Sequence, residues 1–163
     1  TRFLRIKPYP NRGYHFEDRY KDLFGDQVIW KERNLKKIMG ESKIIICTYP
    51  NTTFSEAMYS GVPSMLFYDP YYWETVPVLD NLLYVLKDAK IIHTDSSSLV
   101  HHLESIWMEP LNWWNSSEIQ NARVMFNEEA LGIKKNWLEV WGNFFKKELD
   151  MSLQNNITNS GIV

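Results

Sequence analysis

Uninterrupted apolar runs alternate with helical stripes along most of this chain, and segment 43–69, KIIICTYPNTTFSEAMYSGVPSMLFYD, holds the clearest example. The run Ile44-Ile45-Ile46-Cys47 leads through a polar turn into a short helical stretch, which stops at Gly61 before a second run, Met65-Leu66-Phe67-Tyr68. This pattern predicts a β-α-β unit. Parallel neighbours need a crossover connection, and strands without polar alternation are those covered on both faces, so a buried parallel pair is expected. The turn between the first strand and the helix then falls at the carboxyl edge of the sheet, where open α/β sheets bind ligands.

The alternation extends to either side. Residues 3–7 alternate apolar and basic positions and stop at Pro8, predicting a strand with Lys7 at its carboxyl end and a turn through Asn11-Arg12-Gly13. A short helix is expected over 16–24 with Gly25 as its stop, a short strand over 27–30, and a helix from Asn34 through Met39. Beyond Asp69-Pro70, YYWETVP forms a ring-dense loop whose bulk suits a lid or a wall. Leu79, Leu82, Leu83 and Leu86 recur at helical spacing within 77–89, Ile91-Ile92 reads as a minimal strand, and Asp95 or Ser96 can cap a helix bearing Leu99, Leu103 and Ile106 that Pro110 breaks. Strand and helix thus alternate from 3 to 108, which is the pattern of an α/β domain with a Rossmann-like parallel sheet flanked by helices.

The last third predicts helices without strand partners. Ser116 or Ser117 can cap one carrying Ile119, Ala122 and Phe126, and Asn136 another carrying Trp137, Val140, Trp141, Phe144 and Phe145. These rings are expected to pack on the α/β domain or on a part of the protein outside this chain. Residues 1–149 read as one domain with extra carboxyl-terminal helices, and 150–163 as a flexible tail with too little apolar periodicity to fold.

Composition narrows the partners. Hydrophobic residues at 44% and charged residues at 23% mark an ordinary globular chain, and seven tryptophans imply aromatic packing surfaces. A net charge of -2 and a pI near 6.1 argue against a general nucleic-acid binder, so an anionic ligand must be held by local donors. Cys47, the single cysteine, sits inside an apolar run as a buried filler, so neither a disulfide nor a cysteine-based metal site is expected. No apolar run reaches the ~20 residues of a membrane span. The setting expected is cytoplasmic, with peripheral attachment at the inner face of the membrane open. Sequons at Asn51, Asn115 and Asn156 are read as chance. The chain opens at Thr1 and runs straight into a strand pattern, the expectation for a piece of a longer protein.

The chemistry concentrates at the start of the central helix. Asn51, Thr52 or Thr53 can cap it, its first-turn amides point outward and its hydroxyls add donors, which together suit a phosphate. The same residues also fit a structural role, since Thr53-x-x-Glu56 has the spacing of a capping box. Lys7 and Arg12 follow the first strand on the same edge, where either can neutralise a phosphate or stand as a solvated charge. His93 follows a strand and can reach that edge, or serve as a hydrogen-bonded structural residue. His101 and His102 read as surface residues, and His15 with Glu17 and Asp18 is too generic to name as a site. The chain lacks G-x-S-x-G, Walker A, G-x-G-x-x-G and H-E-x-x-H patterns.

The run CTYPNTTFSEAMYSGVPSMLFYDP resembles the donor-binding motif in the carboxyl-terminal domain of GT-B glycosyltransferases, in which a strand leads into hydroxyl residues, then a helical Glu, then Pro before the next strand. RIKPYP is similar to the K-x-HP segment of the CDP-glycerol glycerophosphotransferase and bacterial polysialyltransferase groups, and both segments together resemble a group of bacterial surface-carbohydrate transferases. The resemblance covers 3–92 as architecture and implies half of a GT-B fold. It assigns the donor phosphate to Thr52, Thr53 and Lys7 and the ribose hydroxyls to Glu56, while Asn51, Arg12 and His93 stay phosphate candidates by their place at the same edge. Tyr9-Pro10 stands where the phosphotransferase groups have His-Pro, so that histidine's role does not transfer. The resemblance also implies an amino-terminal acceptor half that supplies the catalytic base, expected to lie outside this chain.

The function expected is therefore the donor-nucleotide half of a transferase that moves a sugar, or less readily a phosphoalditol, onto a surface-glycan or lipid-linked acceptor. No cofactor and no metal is expected. Two alternatives stay open: a noncatalytic interaction or carbohydrate-binding domain using the 71–73 rings, and half of a nucleotide-sugar epimerase.

Overall fold

The computed structural model describes residues 4–9, 13, 15–132 and 136–159, with side chains as far as 152. The chain divides into two units, Thr1–Leu66 and Phe67–Val163. In the first, the expected strands over 3–7 and 27–30 reduce to one parallel bridge between Ile6 and Ile29. The Ile6 amide donates to the Val28 carbonyl at 2.7 Å, and the Trp30 amide returns to the Ile6 carbonyl at 2.8 Å. Pairing goes no further because Pro8 has no N–H to give, and because Asp26–Val28 tightens into a 3-10 turn. Helix α1 (Phe16–Phe24) precedes that turn, and α2 (Leu35–Gly40) follows the bridge with Asn34 as its cap, the side-chain oxygen accepting from the Lys37 amide at 3.2 Å.

The central crossover forms as the pattern predicts. Strand β1 (Ile45–Cys47) and strand β2 (Ser64–Phe67) run parallel in the register Ile45/Ser64, Ile46/Met65 and Cys47/Leu66, joined by helix α3 (Thr52–Ser60). α3 buries Phe54, Ala57 and Met58, the i, i+3, i+4 stripe of a helix laid on a sheet. The expectation of two strands covered on both faces is corrected for one of them. β2 is buried along Ser64, Met65 and Leu66, whereas β1 leaves Ile46 40% exposed. The sheet order is β1-β2-β3, which makes β1 an edge strand with a neighbour on one side only. Cys47 is buried as foreseen, and burial pushes its thiol up to about 11, away from nucleophilic use.

The second unit begins at the end of β2. There β3 (Ile92–His93) joins the sheet, the Tyr68 amide donating to the His93 carbonyl at 3.2 Å. Helix α4 (Asp80–Asp88) buries Leu82 and Leu86 and packs against β3 and against α7 (Ser117–Phe126), which contributes Ile119, Ala122 and Phe126 to the core. Helix α5 (Ser96–Ile106) starts at the Asp95 cap, which accepts from the Ser98 amide at 2.7 Å. Pro110 ends that run by opening a new helix, α6 (Pro110–Trp114), whose first turn needs no N–H from it. The fold class is α/β, a small parallel sheet flanked by helices.

The last helix, α8 (Trp137–Asn159), corrects one expectation. The segment after Leu149 was expected to lack regular structure, yet the helix continues through it. No glycine or proline interrupts 143–159, and an established helix extends at little cost per residue. Trp137, Trp141 and Phe145 stay exposed at 58%, 53% and 62%, the helix turning its rings away from the core, and Trp141 stacks on Phe145 at 5.5 Å.

Gly61 closes α3 in the left-handed region at φ 81, where a Cβ would meet nothing within 4 Å. The cost of a side chain there is thus conformational alone. Gly61→Ala is expected to lower stability by ~1 kcal/mol in urea denaturation, and Gly61→Asn by less. Equal stability of all three proteins would contradict this account.

Candidate functional site

The turn from β1 into α3 lies wholly within the first unit, and its hydrogen bonds decide which donors face outward. Asn51 holds an extended backbone at φ -138 and caps the helix, its side-chain oxygen accepting from the Thr53 amide at 3.1 Å. Its carbonyl accepts from the Phe54 amide at 3.0 Å and the Ser55 amide at 3.2 Å. Three of the first-turn donors are therefore engaged inside the helix. Thr52's amide has no such partner, and its side chain is exposed.

The cap also fixes the register of Glu56. A capping box needs the carboxylate three positions after the cap, but counting from Asn51 places Glu56 five positions on. It is exposed and makes no hydrogen bond or ion pair among the described residues. The structural alternative that the spacing offered is thus removed: Asn51, and neither threonine, is the cap. Thr52 and Glu56 stand four residues apart on the helix face opposite Phe54, Ala57 and Met58, with Cβ atoms of such pairs ~6 Å apart.

Lys7 is exposed and donates from Nζ to the Glu32 carbonyl at 2.8 Å, so two of its ammonium hydrogens stay available. Two residues on, the Tyr9 ring meets the Tyr49 ring edge-on at 6.5 Å, which ties the end of the first extended segment to the β1–α3 turn. Glu32 orders the base under Lys7. Its carboxylate accepts from the Arg33 amide at 2.8 Å and the Asn34 amide at 3.0 Å, and pairs with Lys37 at 2.8 Å. The Asn34 amide, then Lys37 and the Arg33 amide, hold its carboxyl down at about 2. Sequence reasoning passed over Glu32, although an acidic residue two before a capping Asn is the signal of a carboxylate at a helix N-terminus.

The other candidates stand elsewhere. Arg12 lies outside the described residues. His93 belongs to the second unit and is 2% exposed, with Nδ1 2.9 Å from Ser98 Oγ and Nε2 2.9 Å from the Lys90 carbonyl. Both nitrogens are engaged, so His93 offers none to a phosphate and takes the structural role. His102, read as a surface residue, is half-buried instead and stacks on His93 at 5.5 Å. Among the described residues no group of three metal-ligating side chains converges, and no helix is long and apolar enough to cross a membrane. The 71–73 loop is held by Asp69, whose carboxylate accepts from the Tyr71 amide at 2.9 Å, while Tyr71, Tyr72 and Trp73 stay 85%, 74% and 42% exposed.

A family model described as LIC12162 family transferase matches residues 2–145. No curated protein and no solved structure matches the chain.

Asn51 and Glu56 separate cleanly in a stability measurement. Asn51→Ala removes the cap and is expected to cost ~1 kcal/mol in denaturant unfolding, while Glu56→Ala stays within about 0.5 kcal/mol of the parent. A cap-sized loss in Glu56→Ala would contradict the assignment of Asn51 as the cap.

Proposed function

As the chain belongs to the LIC12162 family of transferases, we propose that it is the donor-binding half of a glycosyltransferase of GT-B build, acting on a nucleotide-activated sugar for bacterial surface-glycan synthesis. The supporting observation is Glu56, an exposed carboxylate that no structural bond claims, one helical turn from the exposed Thr52. A carboxylate accepts from a pair of ribose hydroxyls, and a helix start beside an ammonium suits the phosphate attached to that ribose. The motif CTYPNTTFSEAMYSGVP resembles the GT-B donor site in the same two places.

In the reaction, the bond between the sugar's anomeric carbon and the donor phosphate breaks, and a bond from the acceptor oxygen forms. The acceptor's proton goes to a base supplied by a part of the protein outside this chain. Negative charge grows on the departing phosphate. The Thr52 amide, the Thr52 and Thr53 hydroxyls and the two available Lys7 hydrogens stabilise it there, while Asn51 shapes the turn and keeps its side-chain NH2 for the same oxygens. The site works in the cytoplasm, where nucleotide-activated donors are made, with the acceptor presented at the inner membrane face. The exposed rings of Tyr71, Tyr72 and Trp73 favour a second reading, a carbohydrate-binding domain without catalysis.

Calorimetric titration with UDP, GDP, CDP and CMP separates the two. At least one nucleotide is expected to bind at about millimolar or tighter, with Glu56→Ala and Lys7→Ala each weakening it about tenfold, the loss of one charge-assisted hydrogen bond. A folded protein that binds none of the four would overturn donor binding and favour the second reading.

A further inference from the structure

Two imidazoles meet in the second unit where β3, α5 and α6 converge. His93 Nε2 lies against a carbonyl, which only accepts, so Nε2 carries the proton and Nδ1 accepts from the Ser98 hydroxyl. That ring therefore joins the turn at Lys90, a non-glycine residue held at φ 58, to the first turn of α5. His102 sits one turn further along α5, stacked on His93 with 28° between planes and edge-on to Trp113 at 4.9 Å. Its Nε2 is buried and has no hydrogen-bond partner. A proton placed there would add a buried donor with no acceptor, against a ring that already uses both nitrogens.

We propose that the stacked His93–His102 pair is a proton-operated latch, holding α5 against β3 while both rings are neutral and loosening the helix when one takes a proton. The charges facing the pair fit this role. From the turn before β3 comes Lys90 and from α5 itself His101, both opposing a further positive charge. Asp95 at the α5 cap is the carboxylate nearby, and its Oδ1 is committed to the Ser98 amide. α6 presents the uncharged Trp113 ring, and the Arg123 guanidinium of α7 lies over Trp114 at 4.5 Å.

Burial lowers the readiness of both rings to protonate, taking His102 to about 4 with His93 and Lys90 as further causes. A released histidine titrates near 6.5. Above that value both states are neutral and the latch is intact. As pH falls from about 6.5 toward about 4, the open state takes the proton first and the latch loses stability; below about 4 the loss levels off.

Hydrogen exchange of the α5 amides in the full chain tests this, corrected for the intrinsic pH dependence and run beside imidazole carbon shifts. Between pH 7.5 and pH 5 the opening equilibrium of α5 is expected to rise on the order of tenfold, a value reduced for the water that still screens half-buried His102. His102→Phe keeps the stacked ring without one of the two proton sites and is expected to diminish the rise, while His101→Ala keeps it in full. If His102→Phe does not fold, the parent alone decides: His102 must titrate well below 6.5. Protection of α5 that does not change by pH 5, a rise undiminished in His102→Phe, or a His102 titration near 6.5 each overturns the latch.

Discussion

Parallel strands cannot be joined by a tight turn, and the β1–β2 pairing of Ile45–Cys47 with Ser64–Phe67 subjects the first unit to that constraint. The chain has to cross over, and sixteen residues separate Cys47 from Ser64, room for one short helix and two turns. The helix must lie on the sheet, so Phe54, Ala57 and Met58 are apolar and buried. It must also begin at the carboxyl ends of the strands, which puts Asn51, Thr52 and Thr53 at the edge where ligands reach an α/β sheet. Gly61 lets the chain turn back without a Cβ penalty, and Pro63 directs it into β2.

How the helix satisfies its own first turn then divides structure from function. Asn51 takes the Thr53 amide with its side chain and the Phe54 and Ser55 amides with its carbonyl. On the proposed reading, this leaves a narrower set of donors for an anion than the sequence implied, one amide, two hydroxyls and an ammonium in place of an open turn of backbone donors. It also leaves Glu56 without a structural task. Lys7 reaches the same unit through the Ile6–Ile29 bridge and the Tyr9–Tyr49 contact, its ammonium steadied by a carbonyl and not by an opposing carboxylate.

Most of the crossover was legible because its signals are local. Continuous apolar runs, a glycine after the helical stripe and an Asn before it fixed β1, α3 and β2 to within a residue or two. Expectations failed where a neighbour decides the outcome. Ile46 is exposed because β1 is an edge strand, and a single strand's sequence does not report what lies beside it. His102 is half-buried because His93 and Trp113 come to it from other elements. The cap fell to Asn51 and not to Thr53 because only the backbone at Asn51 is extended there, and three adjacent polar residues look alike to a spacing rule. Glu32 was overlooked since its partners are mostly backbone amides, which no side-chain motif advertises.

The central claim is that the β1–α3 turn is a nucleotide site with Thr52 and Glu56 as its two ends. Backbone amide chemical-shift mapping tests it most directly, because it reports position as well as affinity. On addition of UDP, GDP or CDP, the account predicts the largest shifts at Thr52, Thr53 and Glu56, with smaller ones near Lys7 and none on α8. Shifts centred elsewhere, or an unchanged spectrum with all three nucleotides, would contradict it.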